Sequence, residues 1–103
     1  GFIRIIADLA SLSGRKALVT PGIIELGKDT AFVHKKIGAL ARDVFDSVVL
    51  VGQSERTAGL AKGLGEKMKV TYLPNNSSVW PTIDALSKTH DWILLENDLP
   101  DNY

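Results

Sequence analysis

Apolar positions along the chain alternate between helix-like and strand-like runs. Phe2, Ile5, Ile6 and Leu9 recur at the i, i+3, i+4, i+7 spacing of one helix face, so residues 2–12 read as an amphipathic helix. Ser13-Gly14 ends it, with glycine suited to the left-handed position after a helix. Residues 16–20, Lys-Ala-Leu-Val-Thr, form a buried-type strand that Pro21-Gly22 stops. Asp29 or Thr30 is expected to cap a second helix. Its apolar stripe is Val33, Ile37, Leu40, Ala41 and Val44, with Lys35, Lys36, Arg42 and Asp43 toward water. Residues 47–52, Ser-Val-Val-Leu-Val-Gly, suit a strand buried on both faces. Ser54 caps a third helix through Leu64, where Gly59 and Gly63 each cost about 1 kcal/mol relative to alanine and Gly65 makes the end. Residues 68–73 are a third strand, and Pro74-Asn75-Asn76 turns the chain. Ser77 or Ser78 caps a fourth helix that buries Val79, Ile83 and Leu86, with Pro81 tolerated in its first turn. Residues 91–96 are the fourth strand and 97–103 a loop.

The resulting order is α-β-α-β-α-β-α-β, with helical crossovers of the length that parallel strands need. That predicts one α/β domain: a three-layer, Rossmann-like arrangement with a mainly parallel sheet of order 3-2-1-4. In this order the first and fourth strands are neighbours at the topological switch point. The loops after them, 21–28 and 97–103, then flank one crevice, where α/β folds bind ligands.

Composition narrows the partners more than the activity. The 103 residues carry twelve basic and twelve acidic side chains and no cysteine. A net charge of zero argues against nucleic acid as the main partner and against a polybasic membrane-surface segment. Without cysteine there is no disulfide or thiolate metal site. No apolar run reaches the roughly 18 residues of a membrane span. The chain opens inside an apparent helix without a signal-peptide pattern and closes abruptly after Leu99-Pro100-Asp101-Asn102-Tyr103. Such ends are expected of residues 1–103 as a domain cut from a longer protein.

Neither G-x-x-x-x-G-K-[ST] nor G-x-G-x-x-G occurs. Gly22 and Gly27 with Glu25 between them are no self-sufficient phosphate cradle, and the residue pattern alone favours a turn. His34 borders the apolar stripe of its helix, and His90 sits at a helix end, so no structural metal is expected. Ser54 and Glu55 are ordinary helix-start residues. Arg56 could reach a ligand carboxylate or phosphate, although a solvated arginine is the plainer reading. Glu96, Asn97, Asp98 and Asp101 gather at the end of the fourth strand. No nucleophile–base pair stands out, so the chain alone does not read as an enzyme.

The segment Gly14-Arg-Lys-Ala-Leu-Val-Thr-Pro-Gly-Ile-Ile-Glu-Leu-Gly27, then His34, then a helix into Phe45-Asp-Ser-Val-Val-Leu-Val-Gly52, resembles the C-terminal domain of the Mur ligases. The type it most resembles adds D-alanyl-D-alanine to a UDP-muramoyl tripeptide. Residues 1–16 resemble the helix that follows the family's D-D-x-Y-N-x-N-P motif. The ending Leu-Leu-Glu-Asn-Asp-Leu-Pro-Asp-Asn-Tyr resembles a branch of Mur-ligase-like proteins, whereas most members carry Lys-Gly-Ser at Glu96-Asn97-Asp98.

The resemblance implies a part of an ATP- and magnesium-dependent ligase of peptidoglycan precursor synthesis in the cytoplasm. Such an enzyme joins a UDP-muramoyl peptide to an amino acid or dipeptide through an acyl phosphate. The C-terminal domain closes over a central ATP-binding domain of the same chain and is inactive alone; neither nucleic acid nor membrane is an expected partner. Gly22, Glu25, Gly27 and His34 would face the nucleotide, with no cofactor expected on this chain alone. Arg56, Glu96, Asn97 and Asp98 would face the incoming amine. The family's sheet also has two further strands beyond the fourth, absent here, so an open edge or the N-terminal helix is expected to support a homodimer. The competing expectation is a non-catalytic, Rossmann-like or flavodoxin-like interaction module. A receiver is disfavoured because the first and third strands end in Thr20-Pro21 and Leu73-Pro74. A third expectation is a ligase-like domain turned to another acceptor.

Overall fold

A computed structural model describes residues 2–22 and 30–96. Their elements are α1 (Phe2–Ala10), β1 (Lys16–Thr20), α2 (Thr30–Arg42), β2 (Ser47–Val51), α3 (Glu55–Leu64), β3 (Lys69–Leu73), α4 (Val79–Ser87) and β4 (Trp92–Leu95). The four strands form one parallel sheet in the order β3-β2-β1-β4. This is the Rossmann-like α/β architecture expected from the alternating pattern. The central strands β1 and β2 are buried at every position, as their continuous apolar runs require.

The two faces of the sheet are covered unequally. On one face Leu18, Val48 and Leu50 pack with Phe2 and Ile6 of α1, Ile37 and Ala41 of α2, and Leu60 and Leu64 of α3. On the other, Val19, Val49 and Val51 meet Val79, with Ile83 and Leu86 of α4 beside them. Three helices therefore share one face and α4 alone lies on the opposite one. Truncating a fully buried Leu18 or Leu50 to alanine costs about 2–5 kcal/mol in such a core.

Helix α2 turns a slightly different face inward from the stripe read in the sequence. Its buried residues are His34, Ile37, Gly38 and Ala41, whereas Leu40 is 46% exposed. The cause lies in α3, which packs on α2 more intimately than any other pair of elements meets. Gly38, Gly59 and Gly63 line that contact. A β-carbon on Gly63 would lie 2.7 Å from Ala39 N and 2.9 Å from Gly38 Cα. One on Gly59 would lie 2.8 Å from His34 Cβ. The two α3 glycines are thus the means of close backbone approach, not merely weak points in a helix. His34, expected at the boundary of the stripe, is consequently fully buried beneath α3.

Turn chemistry explains the remaining boundaries. Helix α1 stops at Ala10, short of residue 12, and Gly14 follows with φ 109°. Before α4, Asn75 rather than a serine caps the chain: its side chain accepts from Ser77 N at 2.9 Å and opens a short 3-10 turn, Asn76–Ser78. Ser78 makes no side-chain cap.

Candidate functional site

Because all four strands are parallel, their C-terminal ends share one edge of the sheet. The switch point lies between β1 and β4, the neighbours from which the chain winds in opposite directions. The first turn there is built by β1. Thr20 is completely buried, and its Oγ1 accepts a hydrogen bond from Gly22 N at 3.0 Å. Gly22 takes φ 104°, a backbone state open to glycine. On the β4 side, Glu96 N donates to Val19 O at 3.0 Å, which fixes half-buried Glu96 beside the end of β1.

The β2 side is held by a reciprocal cap. Gly52 has φ 81°, and its N donates to Leu73 O at 2.7 Å, closing the ends of β2 and β3 together. Thr57 N donates to Ser54 Oγ at 3.2 Å, while Ser54 N donates to Thr57 Oγ1 at 3.1 Å. Thr57 Oγ1 in turn donates to Gly52 O at 3.0 Å. The Ser-x-x-Thr spacing was the available signal for this box, and it holds the first turn of α3 against the sheet edge.

That cap places Arg56 over Gly22. A β-carbon on Gly22 would overlap Arg56 Cβ and stand 3.1 Å from its Cδ, so the arginine stem lies across the bare glycine backbone. Arg56 Nε is buried and makes no hydrogen bond. Among the described residues the Arg56 side chain has neither a hydrogen bond nor an ion pair. A guanidinium partly withdrawn from water with no anion beside it is costly, and an incoming carboxylate or phosphate would remove that cost by a charge-assisted bond.

Gly22 and Arg56 are therefore in contact at the end of β1, and the backbone of Glu96 lies on its other side. His34 is fully buried, with its Nδ1 2.7 Å from Thr30 O and its Cβ against Gly59 of α3. Glu25, Gly27, Asn97 and Asp98 lie outside the described residues. His90 belongs to the opposite, N-terminal edge. There its Nδ1 is 3.1 Å from Leu86 O and its Nε2 3.0 Å from Ser47 Oγ, tying the end of α4 to the start of β2.

No group of three His, Cys, Asp or Glu side chains among the described residues is arranged to hold a metal ion. No described helix is long and apolar enough to cross a membrane. The fold and this edge define a Rossmann-like α/β domain with a cation and a carboxylate on either side of one strand end. Compared with protein-family models, with curated proteins and with solved structures, the chain has no match.

Proposed function

We propose that this chain is the C-terminal lid and acceptor-binding domain of an ATP-dependent ligase that forms an amide bond on a peptidoglycan precursor. Its partners in this reading are a central ATP-binding domain of the same protein, a UDP-muramoyl peptide and an amino acid or dipeptide. The resemblance of residues 14–52 to the Mur ligases motivates the reading. The observation that carries it is Arg56, held unpartnered over Gly22 at the switch-point crevice, with Glu96 on the far side of β1. An amino acid or dipeptide brings both charges these residues complement. Arg56 takes its carboxylate, and Glu96 pairs with its ammonium end.

ATP supplies the phosphoryl group that activates the precursor's carboxylate as an acyl phosphate. In this reading the metal ligands belong to the central domain, as the resemblance to the Mur ligases implies. What the present chain contributes is position and exclusion of water. Closure of the edge carrying Gly22, Arg56 and Glu96 over the reacting centre protects the acyl phosphate from hydrolysis and orders the acceptor. The half-exposed β4 edge is, in the same proposal, a seat of self-association.

The test is ATP-dependent phosphate release by the full-length protein with UDP-muramoyl tripeptide and a panel of amino acids and dipeptides. Release that requires one acceptor, with a raised acceptor KM in Arg56→Ala and Glu96→Ala, is the expected result. Release with an acceptor other than D-alanyl-D-alanine keeps the mechanism and changes the substrate. No release with any acceptor overturns the reading in favour of a non-catalytic interaction module.

A further inference from the structure

The opposite edge of the sheet carries a feature that the ligase reading does not use. Among the described residues β3 pairs only with β2, which leaves its outer backbone groups unpaired. Beside it, between β3 and α3, runs an open groove of about 570 Å³. Met68 and half-buried Val70 form its apolar floor, and Tyr72 stands 61% exposed at its wall. Lys35 of α2 and Lys62 of α3 line it, with Glu66 as its one acidic residue. Lys67 and Lys69 stand exposed at the start of the strand.

Charge is concentrated here although the whole chain is neutral. Among the described residues the one ion pair is Arg42–Asp43, at 3.8 Å on the surface. None of Lys35, Lys62, Lys67 and Lys69 has a carboxylate within ion-pair distance. A row of unpaired backbone groups, an apolar floor and unpaired lysines together match an extended acidic peptide. Strand addition would satisfy the backbone, apolar and acidic side chains on the groove face of the added strand would meet the floor and Lys35 and Lys62, and an acidic one on the opposite face would lie near Lys69.

We propose that the β3 edge and its groove bind an extended, acidic segment of a partner protein by strand addition. A second copy of this chain fits poorly, because lysines would then face lysines across the new ladder. Nucleic acid fits less well than peptide, because the groove offers an apolar floor and a strand edge with a single aromatic side chain for bases to stack on.

The experiment is a two-dimensional amide NMR titration of the full chain with a short synthetic peptide of repeated Glu-Glu-Val-Val, which puts both residue types on each face of an extended strand. A Lys–Val peptide and an oligouridylate of similar length serve as comparators. The expected result is shifted and exchange-protected amides along Lys69–Leu73, with affinity that falls as salt rises. The doubly reversed variant Lys35→Glu/Lys62→Glu, whose unchanged spectrum elsewhere shows that it folds, is expected to bind about tenfold or more weakly. Equal binding of the Lys–Val peptide, absence of shifts in β3, or unchanged affinity of the variant each overturns the proposal. Tighter binding of oligouridylate, or concentration-dependent shifts in β3 without peptide, overturns it in favour of nucleic acid or of a second copy.

Discussion

Arg56, in the first turn of α3, lies across Gly22, just past the end of β1, and no other side chain could occupy the glycine position without displacing the arginine stem. The stem and the guanidinium have separable roles. The stem packs, whereas the buried Nε is unsatisfied.

Arg56→Met keeps the packing and deletes the unpaired cation. Removing an unsatisfied buried donor is neutral or stabilising, so urea denaturation of the chain should show a change of no more than about 0.5 kcal/mol or a gain of about 1 kcal/mol. In the full-length protein the same variant should raise the acceptor KM about tenfold or more, because a charge-assisted bond is lost. An unchanged KM would remove Arg56 from the proposed acceptor site.

Helix propensity and packing make opposite predictions for Gly63. Propensity alone favours Gly63→Ala by about 1 kcal/mol. The contact with α2 opposes it, because the new β-carbon meets backbone atoms of Lys35 and Ala39 that cannot swing aside. Overpacking against backbone costs about 1–3 kcal/mol, so the expected result is net destabilisation in a urea melt. Gly65→Ala isolates backbone strain from packing: with φ 79°, ψ 174° and nothing within 4 Å, it meets no neighbour but takes a conformation essentially confined to glycine, at a cost of about 1–3 kcal/mol. A stabilised Gly63→Ala protein would show that α2 and α3 do not meet as closely as described.

These glycines mark where reading the sequence stops. The order of elements was legible because Ala17-Leu18-Val19 and Val48-Val49-Leu50-Val51 are uninterrupted apolar runs bounded by Pro21-Gly22 and Gly52. The sheet order followed from crossover length and the usual doubly-wound arrangement. Gly59 and Gly63 looked like propensity defects because their purpose exists only when two helices are brought together. Leu40 was placed in the core for the same reason: the period fixes a stripe's spacing, but the partner helix decides which stripe turns inward. At the site, Arg56 and Glu96 stood out as charges at strand ends, yet the apposition of Arg56 with Gly22 depends on β1 and β2 being neighbours and on the Ser54–Thr57 cap. His34 was legible as a helix residue near the stripe, and its full burial came from the missing side chain of Gly59.

The start of β1 is pinned between two aspartates. Lys16 N donates to Asp46 Oδ2 at 2.8 Å while Asp46 N donates to Lys16 O at 2.7 Å. On the other flank Arg15 N donates to Asp91 Oδ2 at 2.8 Å and Asp91 N donates to Arg15 O at 2.9 Å. The Asp46 bond is partly buried and the Asp91 bond is exposed, so water replaces the second more readily. Asp46→Ala should cost about 1–2 kcal/mol and Asp91→Ala less than about 1 kcal/mol in urea denaturation. Asp46→Asn, which keeps a carbonyl acceptor, should recover part of the loss. Equal costs at the two positions would mean that burial does not set the worth of these bonds.

The two sheet edges differ in protection, and that difference predicts which one associates with itself. The β3 edge carries Lys69, follows Lys67 and precedes Pro74, all of which discourage a second strand of the same kind. The β4 edge is Trp-Ile-Leu-Leu, with no charge or proline, and Trp92 is 43% exposed. Helix α1 leaves Ile3 56% and Ile5 38% exposed. The chain should therefore show a concentration-dependent rise in mass by sedimentation. Trp92→Lys should lower that association. It also loses the bond from Trp92 Nε1 to Ser13 O, 3.0 Å long, so Trp92→Phe is the matched control. Phenylalanine loses the same bond but keeps the edge apolar, and association should persist. Loss in both variants would assign the effect to the tether at Ser13, loss only in Ile3→Lys would assign it to α1, and a monomer at every concentration would leave β4 protected by something other than its own sequence.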